Sequence, residues 1–331
     1  MPLDATLFVL RERLQFFLNM LHPVLKDDIH DALAEPGKLL FKRDEHAELH
    51  PSTGVWSLLP LLIAQYLAPD INIRYACDAS VAVECFICAL DILDDVEDGD
   101  QTSLIARIGV ARALNISTVL LMLTNRIVLS LSEIGVSPTR ITSLLYIFQE
   151  AVLAATAGQH RDILAEQRLA ESFTTEECVE IAEGKAGSLM SVACRVGALC
   201  ANANAQVVEQ FSELGKLLGI AHQLDNDSHD LYHILQYQQT GESQGTIKTD
   251  LARQKKTLPV VLAAHTLIAL QHAPSPNDEE KERMFNNVLH EGIITTWGIS
   301  LLYRERAHDI LRQIEVRQPI SHELRLLLNF A

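Results

Sequence analysis

Apolar residues recur at helical spacing along most of the chain, and alternating runs typical of β-strands are short. This pattern predicts an all-α bundle of about ten helices. They are predicted at 7–25, 56–67, 71–98, 103–134, 139–166, 174–201, 205–238, 248–271, 278–291, 295–317 and 320–329. Residues 26–51 and 239–245 are mostly polar and predict loops. Long apolar helices with short connections predict a single domain over residues 1–331 that surrounds a central cavity.

The helix predicted at 71–98 ends in a cluster of acidic residues. Its segment 81–93 is apolar nearly all round, which is typical of a buried helix. Asp94 and Asp98 are four residues apart and Asp95 lies beside them, so three carboxylates project from one side of one turn. Carboxylates this close repel each other unless a cation lies between them. Oxygen ligands at high charge density favour Mg²⁺, which proteins usually hold together with substrate phosphates.

A second cluster follows the apolar helix that ends near residue 224. In residues 223–230, Asn226 and Asp230 are four apart, and Asp227 and Asp230 are three apart. Either cluster alone could be a solvated helix end, but two in one chain favour metal binding. Facing clusters would hold Mg²⁺ ions that bind a diphosphate between them and make it a leaving group. An apolar cavity beneath them would take a hydrocarbon tail and exclude water.

Composition narrows the functional classes. The formal net charge of −16 argues against nucleic acid or an anionic membrane as a general partner. Cys85 and Cys88 have redox or zinc spacing but lie within the apolar helix, so core packing explains them better. No run of about 18 uninterrupted apolar residues predicts a transmembrane segment, and residues 1–4 lack a signal-peptide pattern. These features predict a cytoplasmic protein.

Five short motifs, in order and at matching distances, resemble those of the trans-isoprenyl diphosphate synthases, or polyprenyl synthetases. Residues 94–98 match the first aspartate-rich motif, DDxxD, and residues 223–230 match the second. Residues 158–162 match GQ-x-x-D, residues 184–189 resemble K-T-G-x-L, and residues 255–259 match the K-x-T-L-P part of G-K-x-T-L-P. The resemblance covers residues 56–264 and implies the all-α isoprenoid synthase fold of class I enzymes.

The resemblance also implies roles for individual residues. It implies three Mg²⁺ ions with a bound diphosphate, an allylic prenyl diphosphate as substrate, and a homodimer. The implied Mg²⁺ ligands are Asp94, Asp95, Asp98, Asn226, Asp227 and Asp230. The implied diphosphate contacts are Lys185 and Lys255 or Lys256, and Gln159 and Gln223 would line the reaction centre. Phe86, Ala89 and Leu90 would contact the prenyl chain, and the small Ala89 favours a C15 or C20 substrate.

The chain departs from the family where its members bind isopentenyl diphosphate, the second anionic substrate. Of the segment G-G-K-R-x-R-P only Lys38 remains, and Leu59 stands where an arginine is expected. Ile87 replaces a histidine, and residues 99–106 lack the paired arginines that follow the first motif. A diphosphate cannot be buried against leucine and isoleucine without a large cost in free energy.

The departures predict an enzyme that ionises an allylic diphosphate without adding isopentenyl diphosphate, as a terpene synthase does. One alternative is a chain-elongating synthase that uses other bases, such as Lys42, Arg43 or Arg107. Another is prenyl transfer to a different acceptor, such as a peptide or a small molecule. A non-catalytic partner subunit and a metal phosphohydrolase using His229 and Asp230 are weaker alternatives.

Overall fold

The computed structural model describes residues 3–41, 55–240, 255–270, 278–315 and 319–330. Within these ranges the chain forms helices and no β-strand, which confirms the all-α prediction. The α-helices are α1 (Leu3–Leu18), α2 (Pro23–Leu33), α3 (Val55–Leu67), α4 (Ile73–Glu97), α5 (Ser103–Ile108), α6 (Val110–Ser130), α7 (Pro138–Ala165), α8 (Thr175–Ala182), α9 (Ser188–Cys200), α10 (Ala205–Thr240), α11 (Leu258–Leu270), α12 (Asp278–Glu315) and α13 (His322–Phe330). Short 3₁₀ helices occupy Leu131–Ile134 and Ala170–Ser172, and a π-helix occupies Glu183–Gly187.

Contacts divide the chain into two compact units. Unit 1 comprises Met1–Leu153, Leu189–Gly215 and Ile310–Ala331. Unit 2 comprises Ala154–Ser188 and Lys216–Asp309. The single domain expected from the sequence stays a prediction.

Helix α4 is the central element of unit 1. Asn72 caps its start by accepting hydrogen bonds from the backbone N–H groups of residues 74 and 75. Nearly every side chain from residue 75 to residue 90 is buried, against α1, α3 and α6. Small alanine and cysteine side chains allow these neighbours to approach closely, and the Ser117 hydroxyl donates to the carbonyl of Ala89 at 2.8 Å. The helix ends at Asp98 and Gly99, whose φ of 67° favours glycine.

Two apolar clusters of unit 2 hold α10 in a fixed rotation. The first joins Leu224 to side chains of α8 and α11, and the second joins Leu231 to side chains of α11 and α12. Both leucines are buried, at 1% and 2% exposure. They bracket the second acidic motif, so its apolar face is fixed inward while Asn226 is exposed and Asp227 and Asp230 are partly exposed.

The structure differs from the helix prediction in several places, two of them at a proline or a glycine. The first predicted helix ends at Leu18, and a new helix begins at Pro23 and runs to Leu33, inside the stretch predicted as a loop. Gly109, with a φ of 80°, separates α5 from α6. The helices predicted at 278–291 and 295–317 are one continuous helix, α12. The predicted start of the helix at 248–271 lies outside the described residues, and residues 255–257 are not helical, so α11 begins at Leu258.

Two long helices are apolar enough to cross a membrane by length and composition. They are Val110–Ile134 and Pro138–Ala165. Of their most apolar windows, 44% and 39% are buried within the structure. Core helices pass the same test, so the finding is weak evidence for a membrane. The absence of a transmembrane segment stays a prediction.

Candidate active site

The first acidic motif lies at the C-terminal end of α4, in unit 1. Asp94 and Asp95 are partly exposed, while Asp98 is the C-cap and is 5% exposed. Its backbone N–H donates to the Asp94 carbonyl at 2.8 Å, so the two residues keep the helical spacing. Burial, followed by the charges of Asp91, Asp94 and Asp100, raises the pKa of Asp95 to about 7. This crowding of carboxylates fits a site for a hard divalent cation.

The carboxylates do not form a complete metal cage by themselves. Across the part of the chain that the structure describes, no three His, Cys, Asp or Glu side chains are arranged to hold a metal ion. Magnesium is commonly bound through one or two carboxylates together with substrate phosphates and water. The arrangement therefore fits magnesium that arrives with a phosphate-bearing substrate.

A lysine from another segment pairs with α4 one helical turn before the first motif. Lys38, in the turn after α2, forms a close ion pair with Asp91 of α4. Burial alone would lower the pKa of Lys38, but Asp91, Cys88 and Glu84 outweigh that effect and raise it. Glu84 is buried and accepts a hydrogen bond from the backbone N–H of Leu39 at 2.7 Å. Asp91 thus already neutralises this lysine, and the nearby Glu84 adds to the negative field around it.

We expect Lys38→Met to destabilise the protein by about 3 kcal/mol, because it leaves the buried Glu84 without its cation. This value is at the low end for a broken buried pair, since Asp91 keeps access to solvent. Urea denaturation followed by circular dichroism measures the change. The matched control is Lys26→Met on α2, where the ammonium group bonds the carbonyl of Asn19 on the surface. If both variants unfold at the same urea concentration, the Lys38 pair has no structural role.

In unit 2, three separate motifs of the sequence meet at Asp162. The Lys185 ammonium donates to Asp162 Oδ2 at 3.1 Å, and Lys255 Nζ lies 4.0 Å from the same oxygen. Asp162 and Lys255 are each 8% exposed. Lys256 Nζ lies 3.5 Å from the carbonyl of Glu166, and burial lowers its pKa. Two ammonium groups of low solvent exposure therefore converge on one carboxylate oxygen, an arrangement in which both can contact a single phosphate group.

A π-helix carries Lys185 to this position. Single-turn π segments inside α-helices are rare and occur mostly at functional sites. Glycines on the two neighbouring helices permit the close approach: a Cβ at Gly158 of α7 would meet the backbone of Gly184 at 2.8 Å, and one at Gly219 of α10 would meet the carbonyl oxygen of Ala186 at 2.4 Å. The π-helix is therefore packed directly against both α7 and α10.

We expect Gly158→Ala to destabilise the protein by about 1–3 kcal/mol, because the added methyl group forces α7 and the π-helix apart. The same displacement moves Lys185 away from Asp162, so substrate affinity should fall with stability. Thermal unfolding measures the first effect, and KM for the diphosphate substrate measures the second. Gly298→Ala is the control, since nothing lies within 4 Å of a Cβ there. A fully stable Gly158→Ala variant would contradict the tight packing.

The second acidic motif lies on α10, in unit 2. Gln223 Nε2 donates to Asp227 Oδ1 at 2.9 Å, and the amide nitrogen of Asn226 lies 3.3 Å from His222 Nε2. Arg304 of α12 donates to Asp225 Oδ2 at 2.5 Å. These contacts orient the polar face of α10. The second motif offers carboxylate and amide oxygens. Like the first motif, it does not form a complete metal site among the described residues.

The remaining predicted residues lie on α4 and α7. Gln159 is buried on α7, one turn before Asp162. Phe86, Ala89 and Leu90 are buried on α4, and the ring of Phe86 lies 5.1 Å from that of Phe148. Contact between these three residues and a prenyl chain stays a prediction.

The structure adds residues that the sequence argument did not assign. Asp162 belongs to a recognised motif, but only the fold makes it the acceptor for two lysines. Glu84 and Asp91 carried a usable signal, because acids inside an apolar helix need a cation. No sequence signal pointed to Arg304, because it is 79 residues from Asp225 and its helix contains no recognised motif.

An all-α fold with two aspartate-rich motifs and a lysine cluster is the combination that the resemblance to the polyprenyl synthetases implies. The sequence model of the polyprenyl synthetase family matches residues 54–290. The chain belongs to this family.

Individual comparisons agree with that assignment. The chain is 29% identical to geranylgeranyl diphosphate synthase of Mycobacterium tuberculosis over 236 residues, which are 68% of this chain and 64% of that protein. It is 32% identical to the tryptophan prenyltransferase ComQ of Bacillus spizizenii over 178 residues, 53% of this chain and 54% of that one. The match therefore spans less than two thirds of either relative.

A crystal structure of a geranylgeranyl pyrophosphate synthase has the same fold. Its TM-score is 0.75 at 18% identity, and the match covers 99% of this chain and 96% of that one. The isoprenoid synthase fold expected from the sequence is thereby confirmed.

Proposed function

We propose that the chain is a magnesium-dependent prenyltransferase that ionises an allylic prenyl diphosphate and extends it with isopentenyl diphosphate. The observation that carries the first half is the convergence of Lys185 and Lys255 on the buried Asp162. Both ammonium groups lie within 4.0 Å of one oxygen of Asp162, so one phosphate group at that place would contact both. A bound diphosphate would take over the lysine N–H donors and hold its leaving oxygens against them.

Each acidic motif is a proposed magnesium site. Asp94, Asp95 and Asp98 would hold magnesium on one motif, and Asn226, Asp227 and Asp230 on the other. Bound magnesium neutralises the diphosphate and makes it a better leaving group. Gln223 holds Asp227 in place through its hydrogen bond. The allylic C–O bond breaks with its electron pair on the diphosphate, the acceptor double bond attacks the allylic carbon, and a proton is lost.

Isopentenyl diphosphate is the proposed acceptor because of the comparisons. Most of the curated relatives are prenyl diphosphate synthases that make geranylgeranyl, geranylfarnesyl or farnesyl diphosphate. They support chain elongation better than the terpene-synthase chemistry that the sequence favoured. A C15 or C20 allylic substrate, inferred from Ala89, is part of this proposal.

A second candidate is prenyl transfer or cyclisation without isopentenyl diphosphate. It is favoured because Lys38 and Arg107, two basic residues that could bind isopentenyl diphosphate, already form ion pairs with carboxylates. Lys38 is neutralised by its ion pair with Asp91. Arg107 Nη2 lies 3.3 Å from Asp31 and 3.9 Å from Glu35, so its charge is also balanced. Lys42 and Arg43 lie outside the described residues. The relative named a tryptophan prenyltransferase is a family member whose named acceptor is not a prenyl diphosphate.

The deciding experiment incubates the purified protein and Mg²⁺ with geranyl, farnesyl or geranylgeranyl diphosphate, with and without radiolabelled isopentenyl diphosphate. Labelled, longer prenyl diphosphates support the proposal. Hydrocarbons or alcohols formed without isopentenyl diphosphate support the second candidate instead. If no mixture yields a product, the chain is not a prenyltransferase for these substrates.

We also propose a homodimer in the cytoplasm. Apolar side chains are exposed on α6 and α7 of unit 1, where Met122 is 59%, Tyr146 61% and Leu153 72% exposed. Exposed apolar surface of this kind favours a protein partner. Light scattering should give twice the 36.8 kDa mass of one chain. Glutamate at positions 146 and 153 should shift the mass to one chain, and a wild-type mass of one chain would refute the dimer.

A further inference from the structure

Unit 1 contains a partly open cavity away from the first acidic motif. Its volume is about 280 Å³, and it lies between the end of α1, the start of α4 and the end of α6. The lining residues are Arg13, Phe16, Phe17, Met20, Arg74, Arg126, Leu129, Ser130 and Glu133. Three arginines and a set of apolar side chains thus share one cavity, although the chain as a whole is strongly acidic.

The floor of the cavity is a rigid, charged structure. Arg13 donates to both oxygens of Asp78, at 2.6 and 3.1 Å, and its guanidinium lies 4.5 Å from the ring centroid of Phe16. Asp78 is only 3% exposed. Arg74 Nε lies 3.8 Å from the same carboxylate. The one buried acid is therefore shared by two arginines, which leaves positive charge facing the cavity.

Arg126 adds a further cation at the rim. It is exposed on α6, and no carboxylate among the described residues forms an ion pair with it. Together the lining carries three guanidinium groups against Asp78 and Glu133. A guanidinium group binds phosphate oxygens through two parallel hydrogen bonds, so this surplus suits a phosphate group.

The apolar lining indicates what the phosphate is attached to. Phe16, Met20 and Leu129 are 42%, 43% and 54% exposed beside the arginines. The volume is that of roughly nine water molecules, enough for a phosphate group and the first carbons of a chain. We propose that this cavity binds a phosphate monoester of an apolar alcohol at a site separate from the reaction.

The cavity is distant from the first acidic motif. Asp78 and Asp94 lie on the same straight stretch of helix, sixteen residues apart, which corresponds to about 24 Å at 1.5 Å per residue. The proposed ligand therefore does not touch the first motif. Binding should not require magnesium.

The test is calorimetric titration of the full chain, in EDTA, with octyl phosphate and with inorganic phosphate. We expect octyl phosphate to bind more tightly than inorganic phosphate, and Arg126→Gln to weaken octyl phosphate binding about tenfold. Arg112→Gln is the matched control on the same helix, because Arg112 pairs with Asp28 outside the cavity. Circular dichroism verifies that both variants are folded.

Vesicles of phosphatidylcholine with phosphatidic acid distinguish the two sources of such a phosphate. Vesicle binding that Arg126→Gln removes supports a lipid headgroup, and binding of octyl phosphate without vesicle binding supports a soluble ester. The proposal is overturned if octyl phosphate does not bind, if it binds no better than inorganic phosphate, or if Arg126→Gln leaves its affinity unchanged.

Discussion

Replacing Asp95 with asparagine should lower turnover of the allylic diphosphate by about 10²–10³-fold while making the metal-free protein more stable. The activity falls because a proposed magnesium ligand loses its charge. The stability rises because burial and the neighbouring carboxylates raise the pKa of Asp95 to about 7. The folded state thus holds this proton more tightly than the unfolded chain, so ionised Asp95 opposes folding.

The sign of this effect gives a pH dependence. The stabilisation by Asp95→Asn should be absent below about pH 4, grow between pH 4 and pH 7, and be complete above that range. Melting temperatures in EDTA at a series of pH values measure it. Asp100→Asn, which removes a nearby carboxylate outside the motif, serves as the control and should keep its turnover. An Asp95→Asn protein that is inactive and also less stable at pH 8 would indicate a structural role instead.

Replacing Lys185 with glutamine should raise KM for the allylic diphosphate and reduce kcat/KM by about 10²-fold. The substitution removes one of the two cations that converge on Asp162 and leaves that buried carboxylate with Lys255. Initial rates over a range of substrate concentrations measure both constants.

Two further variants separate charge from packing at this position. Lys185→Arg keeps the charge and should recover part of the affinity, although its geometry differs from that of lysine. Lys216→Gln is the matched control, because Lys216 lies 3.7 Å from Glu183 beside the π-helix and outside the cluster. If Lys185→Gln and Lys216→Gln lower kcat/KM equally, the loss reflects the removal of positive charge from this region and not a specific role of Lys185.

The sequence predicts well what depends on local pattern. The helical spacing of apolar residues is enough to place α4 and α10, and the acid spacing places the two motifs on them. The prediction fails where one residue decides the boundary, as at Pro23 and Gly109. It also could not anticipate the π-helix, because an extra residue in one turn leaves no clear trace in hydrophobic periodicity.

Contacts between distant segments explain what the site analysis missed. The sequence offers three lysines and one aspartate in three motifs, but only the packing of Gly158 against Gly184 brings Lys185 to Asp162. Similarly, Lys38 looked like the remnant of a substrate site until its pairing with Asp91 was seen. The relatives favour isopentenyl diphosphate as the acceptor, whereas the missing basic segments of the sequence argue against it.

The most direct test of the account is release of inorganic diphosphate from farnesyl diphosphate and isopentenyl diphosphate by the wild-type protein, with Mg²⁺ and then with excess EDTA. The account predicts steady release with Mg²⁺, matched by an equal amount of a longer prenyl diphosphate, and no release in EDTA. Release that continues in EDTA, or no release from any allylic diphosphate with Mg²⁺, would contradict it.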